Sequence, residues 1–178
     1  MHKLESPARI AELAPPETLA RLGLGDGMTF ADIGAGTGIF TTAAAARTRA
    51  TIFAVDPSAS MREILEEKKR QLDLQQVEIL SDVAQLPEQG VDLSLLCTVL
   101  HEIHAQESFL AQIASCLKPS GRLAVIEFHK QPTLYGPPPE IRISPEDVLR
   151  LAAHAGFVES ERFTLGESYY CVCLQLGS

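Results

Sequence analysis

Short apolar runs bounded by glycine, proline and acidic residues alternate along this chain with segments whose apolar positions recur every three to four residues. Strands apolar at nearly every position are those buried on both faces, so the alternation predicts a parallel sheet with helices on either side, an α/β fold. Strands are expected at 29–33, 51–55, 77–80, 91–97 and 122–128. The fourth, VDLSLLC, is apolar almost throughout and is expected beside the first, at the centre of the sheet.

The helical segments carry their own start and stop signals. One helix is expected from Thr37 through the alanine run to Ala46. A second begins at Ser58 as cap, with Met61, Ile64, Leu65 and Leu72 facing inward and Glu66 paired with Arg70 on the wet side. A third covers 107–117, with Leu110, Ile113, Ala114 and Leu117 inward, and stops at Lys118 and Pro119. Ser144, Pro145 and Asp147 supply a cap, a first-turn proline and an acid for the last helix, which Gly156 ends. Segments 157–163 and 169–176 read as a closing antiparallel hairpin, whose period of two places Cys171 and Cys173 on one face. Residues 1–22 are expected to form a helical cover. Residues 129–143 carry consecutive prolines, which forbid helix and central strand, and are expected as a stiff loop on the substrate side.

Composition narrows the class. The 178 residues suffice for one substantial core and leave no room for a second, so a single domain over 1–178 is expected. No apolar run approaches the roughly 18 residues of a membrane span, and the N-terminal segment has no signal-peptide core, so a cytoplasmic protein without membrane insertion is expected. A formal net charge of −8 repels polyanions, and no lysine/arginine stripe reverses it locally; a nucleic-acid partner is not expected. Cys97, Cys116, Cys171 and Cys173 lack CxxC spacing and lie in apolar runs, which suits reduced, buried thiols rather than a disulfide framework or a metal site.

The chemistry concentrates in TFADIGAGTGIF, where a strand runs into Gly34, Gly36 and Gly38 and then a helix. Such glycines make a tight turn and let a ligand approach the backbone. A nicotinamide dinucleotide would call for G-x-G-x-x-G, but Ile39 stands where the last glycine belongs. Asp32, just before the glycines, repels phosphate and attracts an ammonium group, which favours a zwitterionic ligand. Asp56 ends the second strand roughly 20 residues later, where a carboxylate accepts both ribose hydroxyls. Asp82 ends the third, placed to accept from an adenine amine. Each acid also suits a helix cap or a solvated strand end. Three at successive strand ends are the specific signal.

DIGAGTG, AVDPSASM, LSDVAQLP, VDLSLLCTVLHEI and LKPSGRLAVIEF, in that order, resemble the successive motifs of the class I S-adenosylmethionine-dependent methyltransferases, in particular the small-molecule, type 11 group that includes the ubiquinone/menaquinone enzymes. The resemblance covers about residue 19 to the C-terminus. It implies a Rossmann-like doubly wound sheet of seven strands in the order 3-2-1-4-5-7-6, mostly parallel, with an antiparallel C-terminal hairpin. It implies S-adenosylmethionine as cofactor and S-adenosylhomocysteine as product. Asp32 with the Gly34 and Gly36 backbone would hold the methionine end, Asp56 the ribose, and Asp82 with the Val83 N–H the adenine, its faces covered by Pro57 and Met61; Cys97 lies beside the cofactor. Ser120 stands where the family commonly has a second glycine, and the chain is short for the quinone enzymes, so quinone specificity is not carried over.

Methyl transfer from a sulfonium is an in-line displacement governed by alignment and exclusion of water. The methyl group is expected past the end of the fourth strand, with His101 as general base or substrate-positioning group. His104, Glu127, Tyr135 and Arg142 are expected on the same side. HEIH misses the zinc spacing H-E-x-x-H by one residue, and no metal is expected. A short-chain dehydrogenase would need Y-x-x-x-K after the fifth strand, yet no lysine follows Lys130. The sequence leaves open a non-catalytic cofactor-binding sensor or partner subunit, the identity of the small-molecule acceptor, and the oligomeric state.

Overall fold

The computed structural model describes residues 5–177; residues 1–4 of the expected N-terminal cover, and Ser178, lie outside the described residues. Five strands come first along the chain: β1 (Phe30–Ile33), β2 (Ile52–Val55), β3 (Val77–Leu80), β4 (Val91–Cys97) and β5 (Leu117–Phe128). The hairpin β6 (Phe157–Leu165) and β7 (Tyr169–Leu176) closes a single seven-stranded sheet of order β3-β2-β1-β4-β5-β7-β6. Strands β1 to β5 pair in parallel, whereas β7 runs antiparallel to both β5 and β6. This is the doubly wound order expected from the sequence. Asp32 lies level with Ala54 on β2 and Leu95 on β4, so strand ends that carry acids share one edge of the sheet.

Side-chain alternation divides the core between the two faces of the sheet. Phe30, Ile52, Ala54 and Leu95 pack on one face with Leu13, Leu19, Phe40 and Leu65, which come from α1 (Pro7–Leu13), α2 (Pro15–Arg21), α3 (Ile39–Ala45) and α4 (Ala59–Gln71). Ala31, Phe53, Leu96 and Val125 pack on the other with Leu110 and Ile113 of α5 (Gln106–Cys116) and Val148 and Leu151 of α6 (Pro145–His154). No helix among the described residues is long and apolar enough to cross a membrane.

Local differences have local causes. Helix α4 ends at Gln71, so Leu72 turns out to solvent, 52% exposed, and Leu74 packs in its place. Arg70 pairs with Glu67 rather than Glu66. Helix α5 gives way to β5 directly at Leu117, which pairs with Val91 before the register shifts; Pro119 is accommodated within that irregularity. The last helix starts as expected, its Ser144 and Asp147 side chains forming a reciprocal capping box.

Candidate functional site

The glycine loop is shaped by what lies above it. Gly34 has φ +73°, in the left-handed region, and a Cβ there would sit 2.3 Å from a Val99 methyl, so both backbone and space exclude a side chain. The Gly36 N–H donates to Asp56 Oδ2 at 2.8 Å, and the Ser58 N–H donates to Asp56 Oδ1 at 2.9 Å. Asp56 thereby ties the glycine loop to the start of α4 while keeping lone pairs for a ligand, since a carboxylate has about four acceptor sites.

Asp32 is 2% exposed and accepts from Thr41 Oγ1 at 2.6 Å. Burial raises its carboxyl to about 6, against the lowering effect of the Thr41 bond, and nearby Asp56 adds to the rise. Asp82 is exposed and caps a 3-10 turn at Val83–Gln85, where it accepts from the Ala84 N–H at 2.8 Å.

All three acids reach one cavity of about 610 Å³. Gly34, Gly36, Pro57, Met61, Val83 and Cys97 line the same space. So does Thr37, whose buried hydroxyl has no hydrogen-bond partner among the described residues. A buried hydroxyl left unpaired is costly, and a polar ligand would relieve it. The acids, the orphan hydroxyl and a backbone without side chains fit a zwitterionic nucleoside such as S-adenosylmethionine. Burial pushes the Cys97 thiol up to about 12, which keeps it protonated and unsuited to act as a thiolate nucleophile. Among the described residues no cluster could hold a metal ion.

The residues expected on the substrate side are placed differently. His101 stands on a 3-10 turn, Leu100–Glu102, with its side chain 6% exposed, and it does not line the cavity. Its Nδ1 meets Glu127 Oε2 at 2.8 Å and its backbone N–H donates to Glu127 Oε1 at 3.2 Å. The bond to Glu127 raises the imidazole pKa above its ordinary value. Glu127, 1% exposed, is engaged with His101 and does not line the cavity. His104 is exposed and does not line the cavity. The Tyr135 hydroxyl donates to Glu12 Oε1 at 2.9 Å, and neither residue lines the cavity. Arg142 is buried by the loop that contains it: its guanidinium donates to the carbonyls of Pro137, His129 and Gln131 and to Thr133 Oγ1. Prolines have no N–H with which to build local ladders, so these carbonyls need an outside donor, and the arginine fork supplies it.

A family model described as a methyltransferase domain matches residues 31–125, more than half the chain, and its span contains all three acids. The chain belongs to the class I S-adenosylmethionine-dependent methyltransferases. The chain is 32% identical over 107 residues to the demethylmenaquinone methyltransferase of Tropheryma whipplei, an alignment covering 60% of this chain and 44% of that protein. The chain thus spans less than half of that curated relative. A SAM dependent methyltransferase from Aquifex aeolicus superposes with a TM-score of 0.90 at 28% identity, covering 97% of this chain and 94% of the other. The 1,6-didemethyltoxoflavin-N1-methyltransferase of Burkholderia thailandensis, solved with 1,6-didemethyltoxoflavin and S-adenosylhomocysteine, gives 0.76 at 21% identity over 94% of this chain and 79% of its own, a likeness of fold alone.

The structure also adds residues to the cavity that the sequence pattern did not single out. Glu102, Ile103, Phe109 and Gln112 line it from the stretch after β4 and from α5, and Arg9 reaches it from α1. Phe109 and Gln112 are three apart, the helical spacing that puts two side chains on one face. Arg9 shares the buried face of α1 with Leu13, four residues on. That spacing was visible in the sequence; the polarity of arginine concealed its meaning.

Proposed function

We propose that the protein transfers the methyl group of S-adenosylmethionine to a small-molecule acceptor. The observation that carries this reading is the row Asp32, Asp56 and Asp82 at the ends of three adjacent strands, all opening on the cavity bounded by the glycine loop. Asp32 receives the ammonium, with the Gly34 and Gly36 backbone beside it. Asp56 receives the ribose hydroxyls. Asp82 and the Val83 N–H take the adenine edge, with Pro57 and Met61 against its faces. Cys97 packs, as a neutral thiol, beside the methionine end.

When bound, S-adenosylmethionine would supply an electrophilic methyl carbon to an electron pair of the acceptor, with S-adenosylhomocysteine as the leaving group. The chain's contribution is alignment and exclusion of water. Val99, Ile103 and Phe109 form apolar wall on the acceptor side. We assign His101 a positioning role, because Glu127 holds its ring behind the wall that Val99 and Glu102 present to the cavity. An acceptor with its own acidic proton, or one already ionised, would suit a site whose histidine lies behind the cavity wall.

The cavity at the sheet edge holds about 610 Å³, the size of a small-molecule site, and the net charge of −8 opposes polyanions, which supports a small molecule over a nucleic acid. All four cysteines are free and buried, which supports work in a reducing, cytoplasmic setting. The test is Asp56→Ala. It should weaken cofactor binding by about 1.5–3 kcal/mol, as for hydrogen bonds to a charged group, and reduce formation of S-adenosylhomocysteine from an acceptor panel. Unchanged affinity would remove Asp56 from the site, and binding without any S-adenosylhomocysteine formed across the panel would count against catalysis.

A further inference from the structure

We propose that Arg9 is an oxyanion receptor built into the cavity, taking a carboxylate-type group from a bound molecule; the inference rests on the reading of this cavity as a cofactor and acceptor site. Arg9 is 9% exposed, yet it lines the cavity. Its Nη1 donates to the Tyr169 hydroxyl at 3.2 Å and its Nη2 to Thr98 Oγ1 at 3.0 Å, with Cys97 Sγ at 4.0 Å from Nη2. Its Nε is buried without a hydrogen-bond partner among the described residues.

Among the described residues, every group that Arg9 hydrogen-bonds is neutral. Burial holds the Cys97 thiol at about 12 and raises the Tyr169 phenol well above its ordinary value. Among the described residues no carboxylate forms an ion pair with Arg9. A buried guanidinium balanced only by dipoles is costly, and an anion that reaches it recovers much of that cost. The unpartnered Nε–H and the adjacent Nη2 form the side-on edge of the guanidinium, the edge that matches two carboxylate oxygens.

The cavity is polarised accordingly. Its other charge-bearing side chains are carboxylates, Asp32, Asp56, Asp82 and Glu102, and Arg9 is its one cation among the described residues. Three of those acids follow β1, β2 and β3. The partners of Arg9 lie on the other side of β1, at the end of β4 and on β7. An oxyanion at Arg9 therefore lies beyond the ammonium-binding end of the row. Two sources fit this chemistry: the carboxylate of the cofactor's own amino-acid moiety, and an anionic group on the methyl acceptor.

The test titrates S-adenosylmethionine and its decarboxylated analogue, S-adenosylmethioninamine, into the wild type, Arg9→Lys and Arg9→Met, with the melting temperature of each recorded. If the cofactor is the source, Arg9→Met weakens S-adenosylmethionine tenfold or more and leaves the decarboxylated analogue unchanged, with Arg9→Lys in between. If the acceptor is the source, neither analogue responds. Acetate and benzoate then bind the S-adenosylhomocysteine-saturated wild type at least fivefold more tightly than the Arg9→Met protein, and their neutral amides show no difference. Equal affinities of wild type and Arg9→Met for S-adenosylmethionine and for both anions would overturn the proposal and leave Arg9 as a structural tether of α1. Should Arg9→Met fail to fold, Arg9→Gln carries the same comparisons. A wild type that binds neither S-adenosyl compound would fail the cofactor reading alone, since the anion titrations without S-adenosylhomocysteine still judge Arg9.

Discussion

Asp32 is a carboxylate kept from water before any ligand arrives. Burial, outweighing the bond from Thr41, puts its pKa at about 6 against an ordinary 3.8. A folded-state value above the unfolded one means that the contribution of Asp32 to stability is fully present below pH 3.8 and is lost as pH rises through about 6. Asp32→Asn should therefore melt higher than wild type at pH 7.5, with the gap closing toward pH 4, while binding S-adenosylmethionine more weakly; a calorimetric melt and a titration read the two effects. A variant that is no more stable at pH 7.5 would contradict the desolvated carboxylate. Wild-type affinity for the cofactor should fall as pH drops through about 6, because the ammonium loses its charged partner. His101 offers a second residue-scale test. The Glu127 bond is the main cause of its raised pKa, so Glu127→Gln should bring the imidazole back toward 6.5, as followed by proton NMR. The three strand-end acids were legible in the sequence because their spacing follows the strands. Glu127 was legible as a strand-end acid, but its attachment to His101 depends on a turn after β4 that no periodicity reveals.

The elements that frame the cavity depend on two contacts. At Gly34, alanine would meet both the left-handed φ and the Val99 side chain. Gly34→Ala should cost more than the 1–2 kcal/mol of a left-handed residue alone, and adding Val99→Ala should recover the steric part but not the backbone part; denaturant unfolding of the single and double variants measures both. At the N-terminal cover, Glu12 accepts from the Ser168 N–H at 2.8 Å, Ser168 Oγ at 3.0 Å and the Tyr135 hydroxyl at 2.9 Å. That carboxylate joins α1 to the β6–β7 turn and to the proline-rich loop. Glu12→Ala should raise hydrogen exchange selectively over 7–13 while leaving β1 and β4 protected. The sequence showed the strands, the last helix and the hairpin through their caps and periods. It did not show where α4 ends, since Leu72 fits the helical period but lies past the last turn, nor that the loop at 129–143 is fastened by Arg142 to its own carbonyls.

At the scale of the whole molecule, one sheet gathers the ends of β1, β2, β3 and β4 at a single edge, and the cavity lies there because that is where the connections to the helices leave the sheet. The strand order was legible only through the family resemblance, because alternating apolar runs establish a parallel sheet without fixing which strands are neighbours. A helical cover over the N-terminal residues was expected, but the contacts that hold α1 there, from Arg9 to Tyr169 and from Ser168 to Glu12, were not legible. The acidic net charge predicts that duplex DNA or RNA will not bind at physiological salt, which a fluorescence-anisotropy titration checks. The central claim concerns the ligand of the cavity, and calorimetric titration of the purified protein with S-adenosylmethionine, S-adenosylhomocysteine and NADH tests it most directly. Binding of both S-adenosyl compounds without NADH is the predicted result; no binding of either at millimolar concentration, or preferential binding of NADH, would contradict the account.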